Sequence, residues 1–168
     1  MREIELKFKV KNFKNIVPKL KKLGAKLLWQ GIEENYYFDT PNADLKKKSV
    51  YLRIRKWPGH SNSLTLKVSP LHKTKKYKIL REYQVSVSDL KTTRIILENL
   101  GFVEKWHYKK YRKHWKLGGV VIELDWVKNH RIVEIEGSKK KINELAKKLG
   151  LDFKDSTTKG YLNILNLV

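Results

Sequence analysis

Three pairs of carboxylates, each two residues apart, are the groups in this sequence best suited to chemistry: Glu3/Glu5, Glu123/Asp125 and Glu134/Glu136. In an extended chain, residues i and i+2 project from the same face. Glu3, Glu5 and Lys7 alternate with Ile4, Leu6 and Phe8, so one face carries two acids and an amine and the other is apolar. The chain has 17 acidic residues against 38 basic ones. A protein this basic has no solubility reason to pair its acids on strands. Carboxylates gathered in one space repel one another unless a cation lies between them. Hard oxygen ligands of this kind suit Mg2+ or Mn2+, and one or two such ions are the expected cofactor.

A second inventory is basic. Arg53/Arg55, Lys67 and Lys110/Arg112 sit on alternating stretches, as does Glu82. Guanidinium groups grip phosphate oxygens in pairs, and lysine acts as a point charge. Cations and metal around one space describe a pocket for a metal–polyphosphate complex. Phosphoryl transfer is mostly positioning and charge neutralisation, so this inventory is sufficient in kind.

The elements that must position these groups are mainly strands. Alternation predicts strands over about 2–10, 27–39, 49–57, 63–68, 78–87, 103–117, 120–127 and 131–137. Helices are expected at 12–23, with Asn12 as cap and Gly24 as stop, and at 88–100, with Ser88 as cap. A third is expected at 139–149 between Ser138 and Gly150, and a short one near 158–167. Strand after strand offers charges two apart where a solvated face would offer Ser, Thr, Asn and Gln. The expected architecture is α+β: an eight-stranded antiparallel β-barrel with a charged interior, its outward apolar positions covered by a few α-helices.

Composition bounds the rest. Residues 1–168 form a single expected domain, long enough to bury a core. With 40% hydrophobic residues it is no disordered chain. The absence of cysteine excludes disulfides and thiolate sites and fits a cytoplasmic location. No apolar run is long enough to span a bilayer, and the opening strand argues against a signal peptide. The net charge of +21 predicts attraction to polyanions. The histidines His60, His72, His107, His114 and His130 show no ligand spacing and are expected at the surface. Asp39 is expected to start the turn before Pro41, and Trp106 and Trp115 to pack in the wall.

These motifs resemble, in order, those of the CYTH or triphosphate tunnel metalloenzyme superfamily. Glu3-Ile4-Glu5-Leu6-Lys7 resembles its E-x-E-x-K signature. Tyr37–Pro41, Leu52-Arg53-Ile54-Arg55, Thr65-Leu66-Lys67, Arg81-Glu82-Tyr83, the strand of Lys110 and Arg112, Glu123-Leu124-Asp125 and Val133–Glu136 resemble the segments that follow. The resemblance implies a tunnel of eight antiparallel strands and Mg2+ or Mn2+ dependence. It places the triphosphate on Arg53, Arg55, Lys67, Lys110 and Arg112. It places metal on Glu3, Glu5, Glu82, Glu123, Asp125, Glu134 and Glu136, and water activation on Lys7 with Tyr37. Gln84 departs from a glutamate often found there, and Ser156–Tyr161 matches only loosely. The expected function is a metal-dependent triphosphatase, acting as a monomer or homodimer on a small triphosphate such as tripolyphosphate. The alternative is a class IV adenylyl cyclase. A non-catalytic polyanion or nucleic-acid binder ranks third, because it leaves the acid pairs unexplained.

Overall fold

The computed structural model describes residues 2–59, 61–69 and 76–168. His60 and His72 therefore lie outside the described residues. Among the described residues there are nine strands: β1 (Arg2–Lys9), β2 (Lys26–Asp39), β3 (Val50–Lys56), β4 (Asn62–Val68), β5 (Lys78–Val87), β6 (Val103–Leu117), β7 (Val120–Val127), β8 (His130–Glu136) and the two-residue β9 (Ser156–Thr157). Five α-helices among the described residues accompany them: α1 (Ile16–Lys22), α2 (Asp44–Lys47), α3 (Leu90–Asn99), α4 (Lys139–Leu149) and α5 (Tyr161–Ile164). Hydrogen-bonded neighbours run β5-β4-β3-β2-β6-β7-β8-β1-β9, and a further β5–β1 pairing returns the order to its start. The eight long strands thus form the expected closed antiparallel barrel with helices outside.

Two helix starts differ from expectation. Asn12 accepts from the backbone N–H of Lys14 and makes a turn, and α1 begins only at Ile16. That start puts Pro18 in the first turn, where its missing N–H costs no helical hydrogen bond. α3 is capped by Asp89 rather than Ser88, with the carboxylate accepting from Thr92 N–H at 3.0 Å. A carboxylate also suits the positive end of the helix better than a hydroxyl does. α4 is as expected: Ser138 accepts from Lys141 N–H, and Gly150 ends it at φ 75°. The run Lys139–Lys141 is exposed there.

The chain divides into two compact units. The first comprises the described residues within 1–2, 32–72 and 80–109. Its apolar face packs Phe38 and Ile54 against Leu97 of α3, with Leu52, Leu64 and Phe102 around them. Helical cover is incomplete here: Tyr83 and Val85 of β5 are 57% and 60% exposed, against the expectation that the outward apolar positions lie under helices. Asp39 has the structural role expected, accepting from the backbone N–H groups of Thr40, Leu45 and Lys46.

The second unit comprises the described residues within 3–31, 73–79 and 110–168. Leu6 and Phe8 of β1, Ile122 and Leu124 of β7, and Val133 and Ile135 of β8 pack on Leu20 of α1 and Ile142, Leu145 and Ala146 of α4. Trp115 is buried in this core, as wall packing required. Burying a side chain of this size is worth about 1.5–3 kcal/mol, so the outward apolar set is a strong constraint on register. A one-residue slip of any of these strands would exchange its apolar and charged faces.

Candidate active site

In the second unit, strand alternation turns every acid of β1, β7 and β8 away from the helix-covered core. Register then sets them side by side. Glu5 lies across from Glu136 and Lys7 from Glu134, while Glu123 faces Glu134 on one side and His114 on the other. One carboxylate oxygen from each of Glu3, Glu5 and Glu134 lies within 4.8 Å of the others. Oxygens on one hard ion at about 2.1 Å are roughly 3–4 Å apart. The donor chemistry and spacing of these three fit a small divalent cation after a modest closing.

Internal cations balance the acids. The Lys7 ammonium touches Glu5 and lies 3.3 Å from Glu134. Lys78 reaches Glu5 at 2.9 Å. Arg112 donates from Nε and Nη2 to both oxygens of Asp125, each at 2.6 Å, and lies 3.2 Å from Glu123. Lys110 donates to Asp125 at 3.1 Å. Tyr161 of α5 completes the group: its hydroxyl donates to Asp125, and its ring lies under Lys110 and Lys7 at 4.2 and 5.3 Å. Burial, then the charges of Asp125 and Glu134, push the Tyr161 phenol well above its ordinary pKa. Tyr161 therefore stays a donor. His114, expected at the surface, is half-buried, with its Nδ1 2.8 Å from Glu123.

The first unit carries the other half of the inventory. Arg53 lies opposite Tyr37, Arg55 opposite Asn35, and Lys67 opposite Glu82. Arg53 is 5% exposed, and its Nη1 donates to Asn35 at 3.3 Å. Its Nε and Nη2 are buried without a hydrogen-bond partner among the described residues. Burial works against its charge, but Tyr37, Glu33, Tyr108 and Glu82 more than offset that and raise its pKa. Arg55 lies 3.7 Å from Glu33, and Lys67 pairs with Glu82 at 3.1 Å. Tyr37 stacks on Tyr108 with centroids 6.0 Å apart. Tyr36 faces the other way, its hydroxyl donating to Glu34 at 2.7 Å.

Of the residues singled out in the sequence, Glu3, Glu5, Lys7, Lys110, Arg112, Glu123, Asp125, Glu134 and Glu136 thus fall in the second unit. Tyr37, Arg53, Arg55, Lys67 and Glu82 fall in the first. Lys110 and Arg112 pair with Asp125. Arg53 keeps two buried donors without a hydrogen-bond partner among the described residues, and Glu82 pairs with Lys67. Sequence reasoning missed Glu33, Asn35, Tyr108 and His114 as members of these faces. It left Tyr161 undecided.

The sequence profile of the CYTH domain matches residues 1–161. The chain belongs to the CYTH family. Across 150 residues this CYTH protein is 31% identical to a Methanocaldococcus jannaschii protein named "putative adenylate cyclase", covering 89% of this chain and 84% of the relative. A Pyrococcus horikoshii OT3 structure matches at TM-score 0.82 and 30% identity, over 96% of this chain and 98% of that one. A Hippeastrum structure matches at TM-score 0.67 and 17% identity, over 98% and 94% of the two chains. That plant protein is described as an adenylyl cyclase candidate with a dominant triphosphatase activity.

Proposed function

We propose that this CYTH protein is a divalent-metal-dependent triphosphatase that hydrolyses inorganic tripolyphosphate or a related triphosphate. The observation that carries the reading is Arg53, a buried guanidinium with two nitrogens lacking hydrogen-bond partners among the described residues. An unmet donor costs about 1–3 kcal/mol, more for a charged group, so such a site selects an anion that supplies oxygens. Arg55 and Lys67 extend the same face along β3 and β4.

Glu3, Glu5 and Glu134 would hold the metal, with Glu123, Asp125, Glu136 and Glu82 as further candidates. A bound Mg2+ or Mn2+ would neutralise phosphate charge and orient the chain of phosphoryl groups. Arg53, Arg55 and Lys67 bind the non-reacting oxygens and fix the direction of the triphosphate. Lys110 and Arg112 hold Asp125 in place. Lys7 is the candidate to orient the attacking water and, as the neutral amine, to take its proton, with Tyr37 assisting from β2. The water oxygen bonds to the terminal phosphorus, the phosphoanhydride bond breaks, and phosphate and diphosphate leave.

The name of the M. jannaschii relative favours a second reading, adenylyl cyclase. There the ribose 3′-hydroxyl attacks the α-phosphorus of ATP and diphosphate leaves. Incubation with tripolyphosphate, thiamine triphosphate and ATP in Mg2+ or Mn2+, with product identification, separates the two. Phosphate from tripolyphosphate, lost on chelation, supports the proposal. Cyclic AMP formed faster than that phosphate overturns it.

A further inference from the structure

We propose that the outer face of the β6–β7–β8 sheet holds a docking site for single-stranded nucleic acid, independent of the triphosphatase reading. An open depression of about 440 Å3 lies there, with Phe13, Pro18 and Trp126 as its apolar lining and Lys14, Lys113 and Arg131 as its cations. Trp126 stands directly across from Tyr111 on β6 and Arg131 on β8, so an aromatic–aromatic–guanidinium row crosses three strands. Phe13 and Tyr111 meet the indole edge-on, at 4.4 and 5.4 Å between centroids. Lys113 Nζ lies over it at 5.7 Å. Strand alternation puts Arg112 and Asp125 on the opposite face, so the acids do not compete for these cations.

Charge decides the occupant. Lys14, Lys113 and Arg131 have no carboxylate partner among the described residues; Arg131 donates only to the backbone carbonyls of Lys128 and His130. The aromatic–basic cluster around Tyr36 differs in this respect. There Lys56, Lys109 and Arg94 are paired with Glu34 and Glu104. An aromatic floor with a ring of unpaired cations matches a base stacked on a ring with its flanking phosphates on lysine and arginine. A single strand offers free base faces, whereas a duplex hides them in its stack. The net charge of +21 draws such a strand from a distance.

The test is binding of a fluorescein-labelled short oligothymidylate, titrated over a range of salt. Trp126→Ala should weaken binding roughly five- to hundredfold, while Trp126→Phe retains most of it. Lys113→Gln with Arg131→Gln should lower the salt slope by about 0.7 for each phosphate that is no longer neutralised. A Lys139→Gln/Lys140→Gln control should leave the tryptophan effect intact. Tripolyphosphate turnover should be unchanged in all of them, which keeps this outcome separate from the fate of the catalytic reading. Equal affinity of wild type and Trp126→Ala overturns the proposal. So does heparin binding with the same dependence on Trp126, because heparin has no bases to stack. If Trp126→Ala fails to fold, the paired glutamine variant decides: an unchanged salt slope overturns the site.

Discussion

Arg112 closes on Asp125 edge to edge, with Nε and Nη2 each 2.6 Å from a carboxylate oxygen. Both side chains are buried, Asp125 at 0% exposure. Lys110 and the Tyr161 hydroxyl reach the same carboxylate. Removing one partner of a buried pair leaves the other charge uncompensated, at about 3–5 kcal/mol. Arg112→Ala should therefore destabilise the protein by several kcal/mol in denaturant unfolding. Arg112→Lys should recover only part of that loss, because an ammonium cannot span both oxygens.

The acidic cluster is the next target. Glu134→Gln or Glu5→Gln should abolish metal-dependent turnover while the circular dichroism spectrum is preserved. Repulsion among the acids alone would make either change stabilising. The structure reverses that expectation for Glu5, which is paired with both Lys7 and Lys78, so Glu5→Gln should lower Tm in the metal-free protein. Full activity of both variants at saturating metal would remove these residues from the metal site.

Lys7→Arg keeps a positive charge between Glu5 and Glu134 but gives up its proton far less readily. Turnover should fall by orders of magnitude with tripolyphosphate binding retained, as read by calorimetry. Loss of binding together with turnover would show that Lys7 holds substrate and does not act on the water.

The charged faces were legible because β1, β7 and β8 alternate cleanly: Ile4, Leu6 and Phe8 against Glu3, Glu5 and Lys7 leave one register that buries the apolar set. β6, β7 and α4 have the bounds expected from Gly118-Gly119, Ser138 and Gly150. Glu33 and Asn35 were hidden because Glu34 follows Glu33, so both faces of β2 are polar there and the period-2 signal vanishes. Tyr161 could not be placed because its partner Asp125 is 36 residues away on another element. The motif of Lys110 and Arg112 shows their strand and face. It does not show that Asp125 of β7 lies directly across from Arg112.

Arg53→Ala should weaken tripolyphosphate binding at least tenfold, about the worth of one charge-assisted hydrogen bond. Exchanging Lys139–Lys141 for glutamine should weaken it far less, and mainly at low salt. A larger effect from the exposed triple variant, measured at the same ionic strength, would mean diffuse attraction to the +21 surface.

Glu34 gives an acid-stability prediction. The Tyr36 hydroxyl, opposed by burial and helped by Lys109 and Lys56, lowers its pKa from 4.5 to about 2. The folded state thus binds its proton less readily than the unfolded chain. The resulting stability is full above about 4.5 and is lost as pH falls towards 2. Tyr36, raised from 10 to about 12 by burial and by Glu34, contributes in the opposite direction and loses its share as pH rises through that window. Denaturant midpoints between pH 5 and 2 should fall less steeply for Glu34→Gln than for wild type. Identical slopes would contradict the assignment.

The most direct measurement of the central claim is a head-to-head assay with equal concentrations of tripolyphosphate and ATP in Mg2+ or Mn2+, reading phosphate, diphosphate and cyclic AMP together. The account predicts phosphate and diphosphate from tripolyphosphate as the fastest products, abolished by chelator and by Glu134→Gln. Cyclic AMP and diphosphate formed from ATP at a higher rate, or tripolyphosphate left intact in either metal, would contradict it.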